Sequence, residues 1–157
     1  MLNRDKKVLE KVIFRCAKIK ALVVEADEKE TKGIRTILNF GHTFAHAIEA
    51  ASAYSKKYSH GQAVAIGMLM ASDLATSLKI CSNNITKRLE NLIKRAGLPT
   101  YVKSLKLKEI LFSLQHDKKF IRGKTRLVLP ITIGKVKVFE GIEFKKIKKA
   151  CLSRIKK

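Results

Sequence analysis

The sequence contains no tryptophan, and aromatic residues make up only 6% of its 157 positions. Because 46% of the residues are hydrophobic, the chain can still build a core, which we expect to be mostly aliphatic. No apolar run approaches the roughly 20 residues that a membrane-spanning helix needs. The charged start is followed by no apolar segment, so we expect no signal peptide. The length suits a single domain over residues 1–157.

Cysteine is also scarce, and the three cysteines lack the CxxC spacing of metal and redox motifs. Cys16, Cys81 and Cys151 stand far apart along the chain, and their number is odd. This pattern predicts reduced thiols and a cytoplasmic location rather than a disulfide framework. Each of the three is expected to be a small buried hydrophobic side chain.

Acidic residues are few, since 13 Asp and Glu stand against 34 Lys and Arg for a net charge of +21. Such an excess favours polyanions, which include nucleic acid, phosphorylated substrates and acidic proteins. The basic residues are spread along the whole chain, and few aromatic residues lie among them, so a base-stacking platform is not expected. We interpret most of the excess as solvated surface. A basic module that binds nucleic acid or an acidic partner is kept as an alternative.

Helical periodicity dominates the chain, and no internal repeat or low-complexity segment interrupts it. Apolar spacing, capping residues and stop signals predict helices over residues 6–26, 36–51, 60–78, 82–96, 107–114 and 143–155. Two segments rich in β-branched residues, 125–130 and 135–139, flank Ile133-Gly134 and predict two short strands. The sequence therefore predicts a mainly α fold with a minor late β-hairpin.

The segment 33–49 carries the most chemical information. On a helix, His42 and His46 would lie one turn apart on the same face, with Asn39 and Arg35 one and two turns earlier. Neutral imidazole is a good zinc ligand, and two histidines four residues apart can supply two ligands. An isolated HxxxH pattern is more often a pair of hydrogen-bonded packing residues, so this motif alone does not decide between the two.

A second motif, His-Gly-Gln-Ala-Val-Ala-Ile-Gly-Met, begins at His60. A histidine at this boundary between loop and helix can point away from the helix start, and it would make a poor N-cap. Gly61 permits close approach of another group. Three of the four histidines thus fall in two compact motifs. The fourth, His116, opens a charged stretch with Lys118 and Lys119 that by itself reads as a solvated loop.

Together the motifs Arg-x-x-Leu-Asn-x-Gly-His-Thr-x-x-His-Ala-Ile-Glu and His-Gly-x-Ala-Val-x-x-Gly-Met resemble the signature of 3-dehydroquinate synthases. Later segments, Asp-Lys-Lys and Arg-Leu-Val-Leu-Pro, fit the same family in order. The resemblance runs from about residue 16 to residue 138, and it implies the helical carboxy-terminal domain of that fold. The family is a lyase of the shikimate pathway, which makes chorismate and the aromatic amino acids. It converts a seven-carbon keto sugar-acid phosphate (DAHP) into 3-dehydroquinate. Related sugar phosphate cyclases share much of the pattern and remain an alternative.

The resemblance also implies roles for individual residues. His42 and His60 are expected to bind a divalent metal, zinc or cobalt, that polarises oxygen atoms of the substrate. His46 is expected to face the substrate, which differs from the simple interpretation of the HxxxH pattern. The catalytic and substrate-binding residues that the resemblance implies are Lys20, Arg35, Asn39 and His46, together with Lys118 or Lys119. NAD is implied as a transient hydride acceptor.

Three departures from the family pattern matter. Family members are considerably longer, and no glycine-rich loop follows a predicted strand here, so we expect the NAD-binding domain to be absent. The family's third metal ligand is a glutamate upstream of the first predicted helix, and two histidines leave a catalytic zinc site one ligand short. One extra residue before the Arg35 motif leaves both Glu28 and Glu30 as candidates for the family's acidic position.

These departures predict that the chain is inactive alone. It could be a truncated gene product, one piece of a split enzyme or an incomplete sequence. An amino-terminal NAD-binding half could then act in trans, and the complete enzyme is expected to be a homodimer.

Overall fold

The computed structural model describes residues 5–53, 57–116 and 125–156. Within those ranges the chain forms six α-helices, a 3-10 helix (Arg35–Asn39) and one two-stranded antiparallel sheet. The helices are α1 (Lys6–Ala26), α2 (His42–Ala51), α3 (His60–Ser77), α4 (Asn83–Arg95), α5 (Leu107–His116) and α6 (Phe144–Leu152). The strands are β1 (Arg126–Thr132) and β2 (Lys135–Glu140). The mainly α fold with a late β-hairpin is confirmed.

Helix α3 is the central element of the core. It packs against α2, α4, α6 and β1, and its apolar side chains are buried on most of its faces. A helix that is apolar nearly all round must be enclosed in this way. Among the largest fully buried side chains of the structure, Phe44 is the aromatic one and the rest are aliphatic or methionine. The expectation of an aliphatic core is therefore correct.

The hairpin covers one side of α3. Strand β1 pairs antiparallel with β2, with Arg126 opposite Glu140 at the open end of the hairpin. Leu127, Val128 and Leu129 of β1 are buried. Gly134 has a φ of +79° in the turn between the strands, a conformation that glycine adopts without a steric penalty.

The predicted continuous helix over residues 36–51 is wrong in one respect, because the chain breaks between Asn39 and His42. The 3-10 helix ends at Asn39, Phe40 leaves the helical region with a ψ of 120°, and Gly41 has a φ of +82°. Helix α2 then begins at His42. The four polar residues of the first motif therefore do not share one α-helical stripe.

The chain also leaves α6 earlier than expected, at Leu152 rather than near residue 155. The segment after α6 pairs instead with Val102, whose N–H donates to the Arg154 carbonyl at 2.7 Å and whose carbonyl accepts from Lys156 N–H at 2.9 Å. These backbone hydrogen bonds compete with a further turn of helix. Among the described residues no helix has the length and apolarity to cross a bilayer.

The cysteine expectation is correct for two residues and wrong for the third. Cys81 and Cys151 are buried, and burial raises the pKa of the Cys151 thiol to about 12. Cys16 is exposed, because it lies on α1, a helix with no buried residue. All three cysteines are reduced.

Candidate functional site

The three histidines of the two motifs lie together at the junction of α2 and α3. The ring centres of His42 and His60 are 5.4 Å apart, and those of His42 and His46 are 5.9 Å apart. The ring centres of His46 and His60 are 6.3 Å apart. His42 is half-buried, and the other two are exposed. The structure therefore gathers residues that are up to 18 positions apart in the sequence into one cluster.

Two glycines from the same motifs hold the two helices close enough for this. A Cβ on Gly67 of α3 would overlap the carbonyl oxygen of Gly41 and reach within 3.0 Å of Ala45 N. A Cβ on Gly41 would in turn lie 2.7 Å from atoms of Met68. Only glycine fits such backbone contacts, so these positions fix where α2 begins relative to α3. His42, the first residue of α2, is placed by that contact.

Hydrogen bonds at Nδ1 orient two of the imidazoles. His42 Nδ1 lies 3.3 Å from the Phe40 carbonyl oxygen, and His60 Nδ1 lies 2.9 Å from Glu49 Oε1. Both partners are acceptors, which favours for a neutral ring the tautomer with the proton on Nδ1 and the lone pair on Nε2. An outer hydrogen bond of this kind is usual for histidines that bind metals.

The separation of His42 and His60 fits one metal ion between them. Two imidazoles bound to one zinc at about 2.1 Å in a tetrahedral arrangement have ring centres roughly 5 Å apart. The 5.4 Å pair matches this value better than either pair that includes His46. Across the described part of the chain, no group of three or more His, Cys, Asp or Glu is arranged to hold a metal. The residues present therefore fit two ligands of a metal site.

His46 lies where the cluster opens into a groove between α2 and α5, with a cavity volume of about 810 Å³. No hydrogen bond to its imidazole is found within the described ranges, and the ring contacts His42 and His60 by its faces and edges. The α5 side of the groove includes Lys108 and His116. An exposed imidazole at the edge of a groove can exchange a proton with a bound molecule.

Arg35 stands before the histidines in a small polar network. Its backbone N–H donates to Asp27 Oδ2 at 3.1 Å, and Lys32 N–H donates to Asp27 Oδ1 at 2.9 Å. The hydrogen bond from Lys32 lowers the pKa of Asp27, although burial acts in the opposite direction. This buried carboxylate fixes the turn that precedes the 3-10 helix.

The same network distinguishes Glu28 from Glu30. Arg35 Nε lies 3.7 Å from Glu30 Oε1, whereas Arg35 Nη1 donates to the Glu28 backbone carbonyl at 3.4 Å. Only the Glu30 carboxylate therefore interacts with the arginine side chain. Among the two candidates for the family's acidic position, Glu30 has its carboxylate on the side of Arg35.

The remaining predicted residues are less closely gathered. Asn39 is the last residue of the 3-10 helix and is half-buried, three positions before His42. Lys20 is exposed on α1, whose main contact is with the 3-10 helix. Lys118 and Lys119 lie outside the described residues. The contacts shown therefore join the three histidines with Glu49, and Arg35 and Asn39 precede them along the chain.

Comparison with known proteins places this site in a family. A family model described as 3-dehydroquinate synthase C-terminal matches residues 1–120. The chain belongs to the 3-dehydroquinate synthase C-terminal family. It is 44% identical over 153 residues to a 3-dehydroquinate synthase from Prochlorococcus marinus (strain NATL2A), covering 98% of this chain and 41% of that protein. It is 46% identical over 144 residues to the 3-dehydroquinate synthase of Desulforamulus reducens, covering 91% of this chain and 40% of that protein.

The chain thus spans about two fifths of the length of the 3-dehydroquinate synthases that it matches. Two solved structures share its fold. One is a 2-deoxy-scyllo-inosose synthase complexed with carbaglucose-6-phosphate, NAD+ and Co2+, with a TM-score of 0.79 and 24% identity over 94% of this chain and 41% of that one. The other is a 2-epi-5-epi-valiolone synthase from Streptomyces hygroscopicus with NAD+ and Zn2+ bound, with a TM-score of 0.76 and 21% identity over 91% of this chain and 39% of that one.

Within this family domain, one polar residue of the site was not singled out from the sequence. Glu49 appears in the first motif only as its last letter, and its contact with His60 spans eleven positions and a loop. A signal was present, because Glu49 follows His42 by seven residues and so shares its helix face. That signal places the carboxylate but does not identify its partner.

Proposed function

We propose that this chain supplies the metal-binding and substrate-binding part of a 3-dehydroquinate synthase. The complete enzyme would be a cytoplasmic lyase of the shikimate pathway that converts DAHP into 3-dehydroquinate with elimination of phosphate. Residues 1–157 would form one domain of it. Membership of the family supports the reaction, and the convergence of His42, His46 and His60 is the structural observation that carries the proposal.

The chain's own histidines divide into two roles. His42 and His60 would hold a divalent metal through Nε2, because their Nδ1 atoms face the Phe40 carbonyl and Glu49. Such a metal acts as a Lewis acid on oxygen atoms of the substrate. His46 would face the substrate, since it lies at the groove and its ring separations fit a shared metal less well. In that position it could take up or return a proton.

Cationic and amide side chains would bind the anionic ends of the substrate. Arg35 offers a planar fork for a carboxylate or phosphate, and Lys20 offers a point charge. To bind a substrate, Arg35 would exchange its contact with Glu30 at 3.7 Å, a distance that indicates a weak exposed pair. Asn39, Lys118 and Lys119 complete the proposed set of substrate-binding residues.

The NAD site would come from outside this chain. No glycine-rich loop follows a strand in the sequence, and the matched relatives are more than twice as long. An amino-terminal half, supplied in trans or on the same polypeptide, would therefore contribute NAD and the third metal ligand. We further propose that the assembled enzyme is a homodimer.

A chimera tests the proposal directly. The segment of the Desulforamulus reducens enzyme that this chain matches is replaced by the chain, and phosphate release from DAHP is measured with NAD+ and Zn2+. We expect turnover by the chimera, and a loss of at least about a hundredfold in His42→Ala and His46→Ala variants, since each removes a metal ligand or a proton-transfer group. Lys87→Ala, at an exposed position on α4, is the control for a substitution outside both the cluster and the groove.

Two further measurements define the result. Sedoheptulose 7-phosphate is offered in competition with DAHP, because related sugar phosphate cyclases share the motifs. Preference for sedoheptulose 7-phosphate would assign the chain to another cyclase. A chimera that binds NAD+ and metal but releases no phosphate from either sugar, next to an active parent, would contradict the proposal.

The net charge of +21 favours a second candidate function, a polyanion-binding module, but that function leaves the histidine cluster unexplained.

A further inference from the structure

A carboxylate outside the expected ligand set contacts the histidine cluster. Glu49 is in the last turn of α2, and its Oε1 lies 2.9 Å from His60 Nδ1 at the first turn of α3. The Glu49 side chain is only 16% exposed, whereas that of His60 is 58% exposed. A half-buried acceptor therefore contacts an imidazole that is otherwise largely in solvent.

The hydrogen bond has a specific chemical consequence for the ring. A neutral imidazole carries one N–H, and either nitrogen can hold it. An ionised carboxylate accepts only, so its contact with Nδ1 favours the tautomer with the proton on Nδ1 and the lone pair on Nε2. It also restricts rotation of an exposed ring. Both effects prepare Nε2 to bind a metal.

The other expected ligand has a backbone group at the same ring nitrogen. His42 faces the Phe40 carbonyl, a backbone group that follows from the turn at Gly41. His60 follows Ser59, which caps α3 through a reciprocal pair of hydrogen bonds with Gln62. That cap fixes the backbone at the start of α3 but leaves the imidazole to be oriented by something else. Glu49 is the side chain in contact with its Nδ1.

We propose that Glu49 is a positioning residue of the metal centre, which fixes the tautomer and the orientation of His60 so that its Nε2 faces the metal. This inference rests on the proposed function, because it assumes that His60 is a ligand. A purely structural role would be a tether between α2 and α3. The close contact of Gly41 with Gly67 already joins those helices, and an ion pair with an exposed partner adds little to stability.

The test uses the chimera described above, in which the amino-terminal part of the parent enzyme would supply the third metal ligand, and it has two readouts. Zn2+ affinity is measured by competition with a chromophoric chelator, and the His60 tautomer in the metal-free chimera is read from ¹⁵N chemical shifts of its ring. We expect Glu49→Ala to weaken Zn2+ binding about 10–100-fold and to move His60 away from the Nδ1–H tautomer. Glu49→Gln should have a smaller effect, because its amide can present either an acceptor or a donor. Glu140→Gln, which removes a carboxylate paired with Arg126, should change neither readout.

The outcomes separate this inference from the proposed function. If the chimera binds Zn2+, its His60→Ala variant does not, and its Glu49→Ala variant keeps both the affinity and the tautomer of the unmutated chimera, the positioning role is wrong and the metal site stands. If the chimera binds no Zn2+ although the parent enzyme does, both are overturned. Thermal unfolding checks that each variant is folded. Should Glu49→Ala fail to fold, Glu49→Gln decides, and unchanged affinity and tautomer in that variant would reject the role.

Discussion

Two glycines at this site matter because they allow close contact between helices, although neither has a side chain that could bind a ligand. Gly41 and Gly67 belong to the two motifs that also supply His42 and His60, and they let the backbones of α2 and α3 touch. The spacing of the two imidazoles therefore depends on two positions that carry no side chain. A side chain at either position would separate the two helices and with them the two imidazoles.

Substitution of Gly67 tests this dependence. In Gly67→Ala the added Cβ overlaps the Gly41 carbonyl oxygen and comes close to Ala45 N. Both of these atoms belong to the backbone, so neither can move aside by a side-chain rotation. We expect the free energy of unfolding to fall by about 1–3 kcal/mol, as for other overpacked cores. Urea unfolding followed by circular dichroism measures it, with Zn2+ affinity as a second readout that should also fall.

The same helix provides the control for this prediction. Gly61 of α3 has no atom within 4 Å of an added Cβ. Gly61→Ala should leave stability unchanged or raise it by up to about 1 kcal/mol, because alanine is the better helix former. Equal unfolding free energies for the Gly61 and Gly67 variants would show that the contact between the helices does not control packing here.

At the scale of elements, most of the fold could be predicted from periodicity and the site could be predicted in part. Helix α1 has the predicted bounds of residues 6–26, and the stop at Gly97-Leu98-Pro99 correctly ends α4. The prediction missed the break at Gly41, although a glycine inside a helical pattern favours a continuous helix less than other residues do. Spacing alone could not show that this glycine has a positive φ, since that depends on the contact with Met68 across the domain.

The carboxy-terminal elements are joined by a buried ionic network that periodicity could not show. Arg154, after α6, is 6% exposed and donates to both carboxylate oxygens of Asp73 on α3, at 2.6 and 2.9 Å. It also donates to Glu90 Oε2 on α4 at 2.9 Å, and Lys94 lies 2.7 Å from the other oxygen. Its two carboxylate partners are 81 and 64 positions away, so only the folded chain brings them together.

This network predicts a pH dependence of stability. Partial burial acts to raise the pKa of Glu90, but the hydrogen bonds from Lys94 and Arg154 outweigh it and hold the pKa below its ordinary value of 4.5. A lowered pKa contributes stability that is full above 4.5 and is lost as the pH falls through the folded value. Glu90→Gln should therefore be less stable than wild type at neutral pH, and the difference should shrink on acidification.

Urea unfolding at a series of pH values measures that difference. Glu140→Gln serves as the control, since it removes a carboxylate whose pair with Arg126 is about half exposed on both sides. A difference between wild type and Glu90→Gln that stays constant down to the acid transition would contradict the role of the ionised carboxylate.

At the scale of the whole molecule, the chain divides into a packed body and a helix that is hardly packed at all. Helix α1 has no buried residue, and its apolar side chains Val12, Ile13, Phe14, Ile19 and Leu22 are each more than half exposed. The lysine expected to bind substrate, Lys20, lies on the same helix. The proposed site therefore includes one residue that the packed body alone does not hold in place.

Hydrogen exchange of the isolated chain should reveal this division. A helix held by tertiary packing exchanges slowly, whereas a helix without such packing opens more readily in water. We expect amides of α1 to exchange at least about tenfold faster than those of α3 when both are measured by mass spectrometry at low protein concentration. The amides of α3 are the internal reference, because that helix is enclosed on most faces.

If α1 were as protected as α3 at every concentration, packing within the chain would have to cover it, contrary to its exposure. Protection that rises with concentration would instead show that a second copy covers the apolar face, and Lys20 would then be held by assembly rather than by the fold of one chain.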